Sequence, residues 1–317
     1  MVTTKRAKLY KRLFFVDIMN KEETEKINKA GKIAAQAVAY ARSIVKKDIL
    51  LLELADKIEV KIIELGGKPA FPVNLSMNEI AAHYTPSFDD SSKAAGLLKI
   101  DLGVHVDGYA ADTAFSVDLE NNEENKKLIL SAESALKLAL DNFNKNISFR
   151  SVGKEIEKEI VKNGFSPVYN LSGHSIDRYD LHAGVNVPNY DDGNDDKITE
   201  GLYAIEPFST NGSGKVRDGR ASGIYQLIKD GSVRDMFARQ VLLFIAEEYA
   251  TLPFCSRWIY KQFGSRGLIA LKQIEQAGLL HNFAQLIEIA GGKVAQAEHS
   301  VFITKDGKTI TTALNNL

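Results

Sequence analysis

Lys99-Ile-Asp-Leu-Gly-Val-His-Val-Asp-Gly-Tyr-Ala-Ala-Asp112 is the stretch on which the fold turns. Apolar residues alternate on both sides of Asp107-Gly108, a dipeptide suited to the two left-handed positions of a tight hairpin turn. The spacing predicts a β-hairpin that carries Asp101 and Asp112 nearly opposite each other. Two carboxylates held together on a half-buried sheet repel, so either one is protonated or a cation sits between them.

Working outward, apolar residues recur at helical spacing over 21–45, and a second helix is expected over 50–65, stopping at Gly66-Gly67. The layout repeats downstream, with helices expected over 123–142 and 151–163 before Gly164. Ile58, Ile62, Gly66 and Pro69 recur in order as Ile156, Ile160, Gly164 and Pro167, and Asn74-Leu75-Ser76 recurs as Asn170-Leu171-Ser172. His83 finds a counterpart near His182, and the acidic strand at Asp101 one near Glu206. Two helices followed by strands, used twice, predict homologous halves about a pseudo-two-fold axis. Residues 221–285 have no counterpart in the first half and read as a mostly helical insertion, broken at 251–254. Residues 294–312 alternate like two strands around Lys305-Asp-Gly307 and are expected to rejoin the main sheet.

The 317 residues are 44% hydrophobic and 26% charged with a formal net charge of −1, a globular composition that gives no reason to expect a nucleic-acid partner over the whole surface. A single cysteine, Cys255, excludes an intrachain disulfide and fits a reducing, cytoplasmic compartment. No apolar run approaches the roughly 18 residues of a membrane span. Residues 1–18 carry Lys5, Arg6, Lys8, Lys11 and Arg12 and are expected to be a basic, disordered extension. The alternative is a tail that touches RNA or the ribosome. Met19 opens a capped helical pattern and reads as a reasonable true start.

Five side chains stand out as candidate metal ligands: Asp101, Asp112, His174, Glu206 and Glu298. Singly, each has an ordinary reading as a turn residue, a loop histidine or a strand edge. Jointly they fall in strands or at strand edges near the pseudo-axis, where a lone carboxylate is costly to bury. Oxygen-dominated ligation with one imidazole suits Mn, Fe, Co or Zn in a two-metal hydrolase, and four carboxylates offset two divalent charges while leaving room for a hydroxide.

Seven motifs then carry a resemblance. They are Pro69-Ala-Phe-Pro-Val-Asn74, Ala81-Ala-His-Tyr-Thr-Pro86, Ile100-Asp-Leu-Gly-Val-His105 with Ala111-Asp112, Asn170-Leu-Ser-Gly-His-Ser-Ile176, Leu181-His-Ala-Gly184, Ala204-Ile-Glu-Pro-Phe208 and Gln296-Ala-Glu-His299. In that order they resemble the type 2 methionine aminopeptidases of the archaeal kind. The long interval between Glu206 and Glu298 matches the helical insertion that marks type 2.

The resemblance implies an α+β pita-bread (creatinase/aminopeptidase) fold, with a catalytic domain over 19–220 and 286–317 and an insertion subdomain over 221–285. It implies removal of initiator methionine from nascent proteins whose second residue is small. Asp101 would hold one divalent ion, Asp112 and Glu298 both, and His174 with Glu206 the second. Glu206 would also pass the proton of the attacking water to the leaving amine. His83 and His182 would contact substrate near the scissile bond, and Phe71, Leu181 and Phe208 would line the methionine pocket, with favourable sulfur–aromatic contacts. The implied partners are methionyl peptides and nascent chains, with transient ribosome contact possible, no membrane, and a monomeric state. His105 and His299 are expected to be supporting or structural, and His281 is assigned nothing.

Two departures stand out. Ala297 replaces the aromatic residue expected before Glu298, and Ser91-Ser-Lys-Ala-Ala95 lacks the usual Glu-Gly-Asp turn. The alternatives are an Xaa-Pro aminopeptidase or prolidase on the same fold, which would lack this insertion, and a non-catalytic binding protein, against which the five intact ligands argue.

Overall fold

A computed structural model of the chain describes residues 20–313; the basic extension expected over 1–18 lies outside them. Helix α1 (Lys21–Ile44) starts at a capping box: Asn20 Oδ1 accepts the Glu23 amide at 2.9 Å and Glu23 accepts the Asn20 amide at 3.0 Å. Its buried face, Ile27, Ala30, Ile33, Ala34, Ala37 and Ala41, is mostly alanine, which lets the helix lie close on the sheet below. Helix α2 (Leu51–Glu64) stops where Gly66 turns left-handed, at φ 85°.

Strand β1 (Lys68–Met77) is followed by the short β2 (Ile80–Ala82) and then by the hairpin β3 (Leu97–Val106) and β4 (Tyr109–Asp118). The first sheet runs β1-β3-β4. Ile100, Leu102 and Val104 face the core under α1 and α2, leaving Asp101 and Gly103 on the opposite face. Asp107 and Gly108 both have positive φ, 51° and 86°, as a tight primed turn demands. The expected opposition of the aspartates needs correction. Val106 pairs with Tyr109, so Gly103 faces Asp112 and Asp101 faces Ala114. The two carboxylates share a face as diagonal neighbours. Counting pairs outward from the turn gives this register.

The second half repeats the plan. Helix α3 (Glu123–Asn142) is capped by Asn122 and α4 (Phe149–Lys162) by Ser148. Gly164 ends the pair at φ 82°, close to the value at Gly66. Ile58 and Ile62 sit in the first half's core, and their repeat partners Ile156 and Ile160 in the second's. Strands β5 (Ser166–Pro167), β6 (Ser172–Ile176), β7 (Asn186–Pro188), β8 (Gly201–Ile205) and β9 (Phe208–Thr210) follow.

The insertion differs from expectation. Strand β10 (Val216–Leu227) leads to helix α5 (Met236–Glu248), strand β11 (Phe254–Cys255) and helix α6 (Ser256–Gln276), and β12 (Leu280–Glu288) returns. Strands β10 and β12 therefore cross both boundaries placed at 221 and 285, and the helical part is confined to 236–276. Register shifts near Gly219 and Gly223 break the period of two that would have marked β10 as a strand. The sheet runs β11-β10-β12-β2, so the insertion is hydrogen-bonded to the first half.

A buried ionic knot fastens the same contact. Arg257, 0% exposed, forks onto Glu59 at 2.8 Å through each of Nη1 and Nη2, and Nη1 also meets Asp56 at 2.6 Å. Arg257 Nε donates to the Pro86 carbonyl, while Glu59 also accepts Trp258 Nε1 and the Val73 amide. Strands β13 (Val294–Gln296), β14 (His299–Thr304) and β15 (Gly307–Ile310) complete the chain, and the five-stranded sheet runs β15-β14-β8-β6-β7.

Candidate metal centre

The five candidate ligands arrive from both halves. Asp101 lies on β3, Asp112 on β4, His174 on β6, Glu206 just past β8, and Glu298 between β13 and β14. Side-chain hydroxyls join the last strands to the hairpin. Ser300 Oγ accepts the Asp112 amide at 2.8 Å and lies 2.9 Å from its carbonyl, and Thr113 Oγ1 donates to the Glu298 carbonyl at 2.9 Å. Ser116 serves both the amide and carbonyl of Gln296. These bonds set the Glu298 carboxylate beside Asp112.

His174 Nε2 stands 3.7 Å from an oxygen of Asp112 and 3.7 Å from one of Glu206. Ligand atoms of Asp112, His174 and Glu298 fall within 4.8 Å of one another. Nδ1 of His174 is next to the Ser175 carbonyl at 3.4 Å, which makes Nδ1 the protonated nitrogen and turns the Nε2 lone pair toward the carboxylates. Burial, with His182 adding to it, pushes the His174 pKa down to about 3, so the ring is neutral at pH 7.

His174 therefore offers only a lone pair toward this point. Asp101 Oδ1, Asp112 Oδ1 and Glu298 Oε2 are buried with no hydrogen-bond partner. Burial raises Asp101 to about 7. It also pushes Asp112, Glu206 and Glu298 well above the usual carboxylate range, with the neighbouring charges adding to the effect. Orphaned buried oxygens around a neutral imidazole are what a divalent-cation centre requires, and the donor set fits one.

This electrostatics predicts a pH signature. A carboxyl with a raised folded pKa keeps its proton in the folded state at pH values where the unfolded chain has lost it. The stability present below about pH 4 therefore drains away as pH rises through about 7 and beyond. Added Mn or Co should remove that loss. The cation-induced rise in the urea midpoint is expected to be larger at pH 8 than at pH 5.5, and a cation effect independent of pH would refute the account.

The candidate ligands border a cavity of about 230 Å³, and all ten residues given a site role from the sequence line it: Phe71, His83, Asp101, Asp112, His174, Leu181, His182, Glu206, Phe208 and Glu298. Phe71, Leu181 and Phe208 are buried and form an apolar wall. The His182 ring lies 4.2 Å from that of His174. His83, at φ 64°, turns Nδ1 to the Ala284 carbonyl on β12 at 3.2 Å. Burial lowers both pKa values, that of His182 to about 4, so both rings are neutral at pH 7.

Sequence reasoning missed part of the wall. Ile224, Pro253 and Phe283 come from the insertion, where the broken strand period hid them. It also missed Gln296, whose Nε2 donates to Glu206 at 3.3 Å, although it stands two residues before Glu298 in a motif already singled out. His105 accepts the Gly108 amide at 3.1 Å within the hairpin turn, and His299 meets Thr312 at 2.8 Å, both structural placements. Cys255 is buried with its thiol pushed up to about 12, which makes it an inert apolar residue.

A repeated α/β frame that gathers carboxylates and an imidazole from both halves into one cavity is an arrangement suited to metal-dependent hydrolysis. The chain belongs to metallopeptidase family M24, whose model matches residues 25–305. It is 45% identical over 295 residues to a methionine aminopeptidase of Pyrococcus horikoshii, covering 92% of this chain and 99% of that one. A methionine aminopeptidase of Methanocaldococcus jannaschii is 42% identical over 297 residues, covering 93% and 100%. Among solved structures, a thermophilic Arx1 gives a TM-score of 0.79 at 14% identity, covering 92% of this chain and 91% of the other. Methionine aminopeptidase from Thermotoga maritima gives 0.67 at 21%, covering 94% and 99%. These two likenesses show the fold, which is the expected α+β pita-bread fold. No helix among the described residues is long and apolar enough to cross a membrane.

Proposed function

We propose that the chain is an aminopeptidase that removes the initiator methionine from nascent proteins whose second residue is small. Two divalent ions, Co, Mn, Fe or Zn, would be held by Asp101, Asp112, His174, Glu206 and Glu298. The observation that carries the reading is the joining of two unlike surfaces in one cavity: orphaned buried oxygens, and Phe71, Leu181 and Phe208 beside them.

Bound divalent ions supply Lewis acidity toward a peptide carbonyl and lower the pKa of water. The remaining chemistry belongs to side chains. Glu206 takes a proton from the attacking water and delivers it to the departing nitrogen. His83 and His182, neutral in this pocket, offer hydrogen bonds around the scissile bond. Phe71, Leu181 and Phe208 bind the methionine side chain through apolar and sulfur–aromatic contacts. Recognition of a free α-amino group by a bound ion or an adjacent carboxylate would restrict cleavage to the first residue, because an internal peptide bond offers no such group. The enzyme works in the cytoplasm as a monomer, on methionyl peptides and emerging chains, with transient ribosome contact.

Purified protein supplied with Co or Mn should release free methionine from Met-Ala-Ser and little from Met-Lys-Ser. Preferential cleavage of Xaa-Pro substrates would replace this reading with a prolidase-like one. An inactive but metal-loaded protein would replace it with a binding role.

A further inference from the structure

Leu181 and His182 reach the cavity from a short loop after β6, and that loop is held from outside the second half. Its first turn closes on itself: the Asp177 amide donates to the Asp180 carbonyl at 2.8 Å and the Asp180 amide to the Asp177 carbonyl at 3.0 Å. Its far side is tied at Ala183, whose amide donates to the Ser175 carbonyl at 2.8 Å. The tip of the turn is Tyr179, a non-glycine residue at φ 56°, a backbone state that persists only where the surroundings enforce it.

The surroundings here are the β3–β4 turn. The Tyr179 amide donates to the Gly108 carbonyl at 2.9 Å, and Arg178 Nε donates to the Asp107 carbonyl at 2.9 Å. The Tyr179 ring packs directly against Gly108, where a Cβ would overlap its ring carbons. The insertion adds a third hold, since Thr251 Oγ1 donates to the Tyr179 carbonyl. All three parts of the chain therefore meet on one residue, two positions before Leu181.

We propose that Gly108 and Tyr179 form a seat and a ring that position the substrate loop: the bare glycine at the first half's hairpin tip receives the Tyr179 ring and so sets Leu181 and His182 over the metal centre. Both are positioning residues. Gly108 thus has a second task beyond its left-handed turn. The inference rests on the peptidase reading for its kinetic consequence and on geometry alone for its structural one.

A double-mutant cycle tests it. Gly108→Ala places a methyl where the ring sits, and Tyr179→Gly removes the ring while accommodating the positive φ. Each single variant should raise KM for Met-Ala-Ser roughly tenfold, by misplacing the loop, and the metal affinity should match the wild type. The double variant should lose clearly less than the product of the single losses, because the ring–glycine contact is shared even though Gly108 also holds a left-handed turn and the Tyr179 ring also faces His105 and Arg178. Multiplying losses, or a KM within twofold of wild type in either single variant, would overturn the proposal. Deuterium uptake over 177–184, measured without substrate, separates this from failure of the peptidase reading. Uptake should rise in both single variants even if the wild type cleaves no methionyl peptide, and unchanged uptake would overturn the seat.

Discussion

Glu206→Gln is expected to lower turnover of Met-Ala-Ser by about 10²- to 10⁴-fold while the protein stays folded. The substitution keeps the size of the side chain and one oxygen, so packing against His174 and the hydrogen bond from Gln296 are largely retained. What is lost is the ability to accept a proton from water and hand it to the leaving nitrogen. A raised pKa, imposed by burial and by Asp112 and Asp101, suits a group that must carry a proton through part of the cycle. The comparison is made at saturating Co, with bound metal measured on the same sample. Turnover within tenfold of wild type in a fully loaded Glu206→Gln protein would remove Glu206 from the proton path.

The second large effect is on stability. Glu59→Ala should destabilise the fold by about 3–5 kcal/mol, since it strips a buried guanidinium of its forked partner. The same carboxylate serves Arg257, Trp258 and the Val73 amide, so one deletion orphans donors on α6 and on β1 at once. Asp56 stays beside Arg257 but is also committed to Lys261 at 2.7 Å. The urea midpoint reads the loss. Replacing both charges with apolar side chains of similar volume, Glu59→Leu with Arg257→Met, should recover only part of it, because Trp258 Nε1 and the Val73 amide still lose their acceptor. A loss below about 1 kcal/mol in Glu59→Ala would mean that the knot contributes no more than an exposed pair.

The contrast between these residues shows what a sequence reveals. Glu206 was legible because a carboxylate beside an apolar run is costly unless it has a task, and because its neighbours recur in a motif. The helices were legible through their ends: Asn20, Asn122, Gly66 and Gly164 mark boundaries by local chemistry. The repeat was legible because matched boundaries fell in the same order twice. Glu59 and Arg257 were not, since a helical glutamate and a helical arginine look like solvated surface until tertiary packing brings them together. Strands β10 and β12 escaped for a related reason. Their alternation is interrupted by glycines and register shifts, so Ile224 and Phe283 gave no sign that they wall the cavity. The diagonal register of Asp101 and Asp112 was available from the turn, by counting pairs.

Glu298 has a temporal meaning as well as a spatial one. A ribosome makes Asp101 and Asp112 early, His174 and Glu206 midway, and Glu298 close to the end of the chain. The last carboxylate must then reach back across nearly two-thirds of the polypeptide to meet the first, a non-local pairing of the kind that slows folding. A half-synthesised chain therefore holds an incomplete acidic cluster and no working centre. Peptidase activity is expected only once the final strands have docked on the first hairpin, and a chain cut before Glu298 is expected to release no methionine.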